Sequence, residues 1–303
     1  ELDGLPQHIG LVNIYDQSTA PNSKVRFKQI LNMLEGRAHL SPIFRRKLAF
    51  VPYNLGRPYW VEDPDFDMEY HVRHIALPKP GDWRQLCILA ARIHSQPLRR
   101  DKPMWEIYVI EGLNNIKGYP SGCFALLMKV HHCAMDGATG TQFMNIVHDI
   151  TPETRDVGEA PPWIVERLPT PKMLGRAYMD AWRKPGQVLD MLKETVPTMR
   201  RLRVGRQEKH FHNLEEKPKT RFQGRISRHR VVGASKFDFE VVRAIKNTHP
   251  GATVNDVMLT IVAGGMRQYL ESKDELPTQT LVTGCPIDVR SAEERAAGGN
   301  MVG

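Results

Sequence analysis

The sequence predicts a mixed α/β fold in two domains, and three observations carry that expectation. In the first half, apolar runs of strand length alternate with apolar residues at helical spacing. Turn signals such as Leu55-Gly56-Arg57-Pro58 and Pro78-Lys79-Pro80-Gly81 separate them. The pair Pro161-Pro162 then opens a basic stretch, after which apolar periodicity resumes. The expected division is a first domain over 1–160, a linker over 161–220 and the first part of a second domain over 221–303.

The elements follow from residue spacing. His8 to Tyr15 reads as a strand, and Val25, Phe27, Ile30, Leu31 and Leu34 recur at helical intervals after it. Leu86, Ile88, Leu89 and Ile93 mark a second helix from about Trp83 to His94, followed by a strand at Ile107–Ile110. Phe124 to Val130 is rich enough in large apolar residues to be a buried strand. Phe143, Met144, Ile146, Val147 and Ile150 form the next helical pattern. Beyond the linker, Val241-Val242-x-x-Ile245 and Val254 to Tyr269 suggest two helices, and Leu281 to Val289 a strand. There is no internal repeat or low-complexity tract.

Chemistry concentrates at the end of the Phe124–Val130 strand, in His131-His132-Cys133-Ala134-Met135-Asp136-Gly137. Gly137 permits an unusual backbone angle between strand and helix, so the motif occupies a turn. Side chains alternate along extended chain, so His131 and His132 point opposite ways and one of them is the working base. His132 is the candidate. Imidazole titrates near neutrality and can take a proton from a hydroxyl or amine and return it to a leaving group. Asp136 either orients that ring or pairs with an arginine to lock the turn, and the second role is favoured. A metal site is disfavoured, because adjacent histidines diverge and no cysteine or carboxylate cluster completes a tetrahedral set.

At this point the chain resembles the bacterial wax ester synthase/acyl-CoA:diacylglycerol acyltransferases, within the chloramphenicol-acetyltransferase-like CoA-dependent acyltransferases. Besides His131-His132-x-x-x-Asp136-Gly137, the resemblance rests on Pro97-Leu98-x-x-x-x-Pro103-Met104-Trp105-Glu106, where Met104 replaces the usual leucine. It continues through Thr253-Val254-Asn255-Asp256-Val257 and Pro286-Ile287-Asp288-Val289-Arg290-Ser291, then Gly299-Asn300. Pro6-Gln7-His8-Ile9-Gly10 looks like the family's first strand, and Tyr59–Asp63 with Phe66–His71 like the segment after its first helix.

The resemblance implies a two-domain, mixed-sheet α+β sandwich whose second domain is incomplete here and whose active site needs the remainder. It implies transfer of a long-chain fatty acyl group from acyl-CoA to a fatty alcohol or diacylglycerol, giving wax ester or triacylglycerol. His131, His132, Asp136 and Asn255 are then the catalytic candidates. His132 matches the general base, and Asn255 would steady the oxyanion or position the acceptor hydroxyl. Asp256 fixes the helix start that carries Asn255, Gly137 and Trp105 support the site by backbone freedom and packing, and Arg290 is the candidate partner of Asp136. No cofactor is implied, since acyl-CoA is a substrate. Two rival readings stay open: a related acyltransferase with another hydroxyl or amine acceptor, and a noncatalytic protein that binds lipid surfaces.

Composition is consistent with an enzyme of this kind without selecting one. The chain has 303 residues, 41% hydrophobic and 25% charged, enough for real cores. Neither a bilayer-length apolar stretch nor a secretory leader is expected. Cys87, Cys123, Cys133 and Cys285 lack paired spacing and read as thiols in a reducing compartment, with Cys133 expected to be small buried packing beside the histidines. A cytoplasmic protein is expected, peripheral on the inner membrane or on lipid inclusions. The linker from Leu168 to Arg206 mixes apolar residues with many arginines and lysines, which suits an anionic lipid surface, although Pro171, Pro185 and Pro197 divide it and solvated charge beside domain-packing residues is the favoured reading. The net charge of +8 also permits CoA phosphate recognition, while the lack of a stacking aromatic array argues against nucleic acid.

Overall fold

The computed structural model describes residues 7–51, 58–135, 137–162, 218–224 and 226–284, with positions 171, 172, 175 and 179. The described chain forms two compact units, one holding residues 7–162 and 227–232, the other residues 218–226 and 233–284.

The first unit is built on a four-stranded sheet of β1 (His8–Tyr15), β4 (Val72–Ala76), β5 (Trp105–Leu113) and β6 (Cys123–His131), in the order β1-β6-β5-β4. β6 runs antiparallel to both β1 and β5, whereas β4 and β5 are parallel. Two short strands, β2 (Arg46–Ala49) and β3 (Tyr59–Glu62), pair separately. Alternation along β6 divides its side chains between two cores. Phe124, Leu126, Met128 and Val130 pack with α1 (Phe27–Arg37) and α4 (Gly137–Val147). Cys123, Ala125 and Leu127 face α3 (Trp83–Ser95) through Leu86, Ala90 and Ile93. Because both faces are covered, eight of the nine β6 residues are buried, which explains the nearly continuous apolar run.

Local chemistry sets the helix starts. Asp82 accepts from the Gln85 N–H at 2.9 Å while the Gln85 side chain returns to the Asp82 backbone, so α3 begins with reciprocal capping. Asp67 caps the single-turn α2 (Met68–His71) by accepting from the Glu69 N–H.

One buried cation ties a helix to the sheet and another ties two helices together. Lys129, fully buried on β6, donates from Nζ to the Ile93 carbonyl at 2.9 Å and to that of Gln96. It adds a second donor to the Ile93 carbonyl, which also takes the Gln96 N–H at 3.3 Å, and caps the C-terminal end of α3. Arg37, in the last turn of α1, donates to the Ile146 carbonyl at 2.9 Å and pairs with Asp149. That contact holds the C-terminal end of α4 against α1.

The second unit contains α5 (Phe239–Asn247) and α6 (Val254–Glu271). Residues 281–284, expected to begin a strand, have no regular structure, and 285–289 lie outside the described residues. The Leu168–Arg206 linker, Asp136, Cys285 and Arg290 also lie outside them, apart from the isolated positions named above.

Candidate functional site

β6 carries the site to its C-terminal end. Lys129 and His131 lie on the face toward α3, and Val130 on the opposite face. His132 comes next and is exposed in the turn that separates β6 from α4, whose first residue is Gly137. The turn is fastened from three sides. The His131 N–H donates to the Met104 carbonyl at 3.0 Å, and the His132 N–H to the Gln7 carbonyl at 2.9 Å. The Ala134 N–H donates back to the His131 carbonyl at 3.0 Å. In addition, the Cys133 N–H donates to Nδ1 of His131 at 3.2 Å. That last bond needs an unprotonated Nδ1, so the His131 ring serves its own turn as an acceptor. Cys133 is exposed, contrary to the expected burial, because the turn that holds it projects beyond the end of the strand.

Beneath the turn lies a group of polar residues that spacing along the chain does not reveal. His8 stands opposite His131 in the β1–β6 register. Its ring meets the edge of His131 with centroids 5.7 Å apart and that of His94 on α3 at 6.0 Å. Nε2 of His8 accepts from the Leu98 N–H at 3.4 Å. Burial, then the charge of Lys129, pushes the His8 imidazole from its ordinary 6.5 down to about 4. Burial and the positive charges of Lys129 and Arg230 lower His94 as well. These rings are therefore neutral near pH 7. Among the described residues there is no group of three or more histidines, cysteines or carboxylates arranged to hold a metal ion.

Lys129 is compensated by Glu106, its register partner on β5, across 3.8 Å. Glu106 in turn accepts from the Tyr108 hydroxyl at 2.8 Å and from Arg73 at 3.3 Å. Burial and the adjacent Glu106 raise the Tyr108 phenol, keeping it protonated as a donor. Trp105 is fully buried on the other face, its indole N–H donating to the Phe44 carbonyl at 3.0 Å. His71 stacks on it at 4.5 Å and bonds the Trp105 carbonyl through Nδ1 at 2.8 Å. Trp105 thus joins the start of β5, beside the site, to the segments that hold Phe44 and His71.

Asn255 and Asp256 belong to the second unit. Asn255 is exposed in the first turn of α6. Asp256 accepts from both the backbone N–H and the hydroxyl of Thr253 at 2.7 Å, while the Asp256 N–H donates to that hydroxyl at 3.3 Å. This reciprocal cap sets the first turn of α6 and with it the backbone of Asn255.

Comparison with known proteins gives this arrangement a family. Residues 1–258 match the wax ester synthase/diacylglycerol acyltransferase catalytic domain. A putative diacylglycerol O-acyltransferase of Mycobacterium tuberculosis is 35% identical over 305 residues, covering 97% of this chain and 61% of the relative. A probable diacylglycerol O-acyltransferase of the same species is 30% identical over 304 residues, covering 98% of this chain and 63% of the relative. Among solved structures, the wax ester synthase/diacylglycerol acyltransferase from Marinobacter aquaeolei VT8 is similar with a TM-score of 0.61 and 28% identity, over 96% of this chain and 65% of that one. The chain spans about three fifths of the length of the curated relatives. The matched domain and the identity along nearly the whole chain show that this protein belongs to the wax ester synthase/diacylglycerol acyltransferase family.

Proposed function

We propose that the complete protein transfers a long-chain acyl group from acyl-CoA to the hydroxyl of a fatty alcohol or a diacylglycerol, with His132 as general base. The observation that carries the reading is the exposed His132 imidazole at the end of a buried strand, in a turn whose backbone is bonded to Gln7, Met104 and His131. A base on so constrained a turn keeps its position when substrate arrives.

The reaction needs no covalent enzyme intermediate. His132 removes the hydroxyl proton as the oxygen attacks the thioester carbonyl, forming a C–O bond and a tetrahedral oxyanion. Collapse breaks the C–S bond, and the proton held by His132 passes to the departing CoA thiolate. Asn255 is assigned to the oxyanion or to the acceptor hydroxyl, and Asp136 to locking the turn, with Arg290 as its partner. By this reading the protein is cytoplasmic and works peripherally at the inner membrane or a lipid-inclusion surface, where its lipophilic acceptor partitions. No described helix is long and apolar enough to cross a membrane. Thiol release from a long-chain acyl-CoA, dependent on both His132 and an added alcohol or diacylglycerol, is the test.

A further inference from the structure

We propose that His8 is a positioning residue for acyl transfer, acting through the His131 ring to hold the turn that carries His132. The proposal rests on the reading of His132 as the base, and its observations come from four segments that meet at one place.

Antiparallel pairing puts His8 and His131 side by side on the same face of the sheet. The ring of His131 has a task that fixes its orientation, accepting the Cys133 N–H through Nδ1 at 3.2 Å. His8 supplies a wall against that ring, edge-on with centroids 5.7 Å apart. His8 is itself held from behind. The Leu98 N–H donates to its Nε2 at 3.4 Å, and His94 meets its ring edge at 6.0 Å. Gly10 makes this approach possible, because a Cβ there would lie 3.0 Å from Nδ1 of His94. The residue before His8 completes the device, since the Gln7 carbonyl receives the His132 N–H at 2.9 Å. The start of β1 therefore holds both histidines, His132 by its backbone and His131 by its ring.

A positioning role differs from a general stabilising one in what it changes. Loosening the turn misplaces the base after substrate has bound, so kcat falls while KM for acyl-CoA stays the same. In the complete enzyme, His8→Ala is expected to lower kcat at least about tenfold at unchanged KM. His8→Phe restores the ring wall without a titratable nitrogen and is expected to recover most of that loss. Amide hydrogen exchange at Cys133 reports on the turn without reference to catalysis. It should quicken at least about tenfold in His8→Ala and return toward the wild-type rate in His8→Phe.

Equal exchange at Cys133 in wild type and His8→Ala would overturn the proposal even in an active enzyme. So would a loss of kcat that His8→Phe leaves unrecovered. If the wild type transfers no acyl group yet exchange at Cys133 responds to His8, the function assigned to His132 fails and the coupling of His8 to the turn stands.

Discussion

The backbone N–H of His132 donates to the carbonyl of Gln7 at 2.9 Å, so the residue entering the edge strand β1 fastens the residue leaving the buried strand β6. The candidate base sits beyond the sheet and still inherits its rigidity. The supports of that geometry can be removed one at a time.

Lys129 is the first. It is fully buried, its Nζ is shared between the carbonyls of Ile93 and Gln96 at the C-terminal end of α3, and burial lowers its pKa while Glu106 opposes the shift. Lys129→Met keeps much of the volume but strips the ammonium from the Ile93 and Gln96 carbonyls and leaves Glu106 with fewer counter-charges. A loss of about 3 kcal/mol in unfolding free energy is expected, read from urea denaturation of the complete protein. A change below about 0.5 kcal/mol would mean that the buried ammonium is not anchoring α3.

Arg37 makes a parallel anchor for α4. Its guanidinium is 2% exposed and holds Asp149, whose carboxyl it keeps below the ordinary carboxylate range. A depressed folded pKa means stability that is present above the unfolded value and lost as pH falls through the folded one. Arg37→Met is expected to cost about 3 kcal/mol at neutral pH and to flatten the acid side of the stability curve. Urea midpoints measured from pH 7 down to pH 3 test both parts.

The depressed histidine titrates in the opposite chemical sense with the same direction in pH. Folded His8 refuses its proton until about pH 4, whereas the unfolded imidazole takes one near 6.5. Between these values the unfolded state binds more protons, so the His8 contribution is complete above 6.5 and declines as pH falls toward 4. His8→Phe should remove that share of the slope. Urea midpoints that fall in parallel for wild type and variant across the window would contradict the assignment.

Thr253 caps the helix that presents Asn255, in reciprocal contact with Asp256. Thr253→Ala is expected to cost about 1 kcal/mol and to reduce kcat through the loosened first turn of α6. Thr253→Ser retains the hydroxyl and should restore both, measured by thermal unfolding and by steady-state rates.

Much of this arrangement was legible in the residues, for identifiable reasons. Strand β6 and helices α1 and α3 announce themselves because each buries a continuous run or stripe of large side chains. The histidine pair stands out by its spacing after such a strand. The segments β2 and β4 are short and carry Arg46, Lys47, Arg73 and His74, so no apolar period marks them. Lys129 looks like a blemish in a core strand because its acceptors lie 33 and 36 residues away at the C-terminal end of α3. His8 and His94 join the site only through the β1–β6 register and the packing of α3, which no local pattern encodes. Cys133 reads as buried packing because the implied mechanism has no use for its thiol, and the turn geometry puts it outside.

The most direct measurement is CoA thiol release by the complete protein from a long-chain acyl-CoA, with hexadecanol and diacylglycerol offered in parallel and His132→Ala alongside. The account predicts acceptor-dependent release that His132→Ala lowers by at least about a hundredfold, with the ratio of the two acceptors separating wax ester from triacylglycerol synthesis. Release that persists unchanged in His132→Ala would contradict it.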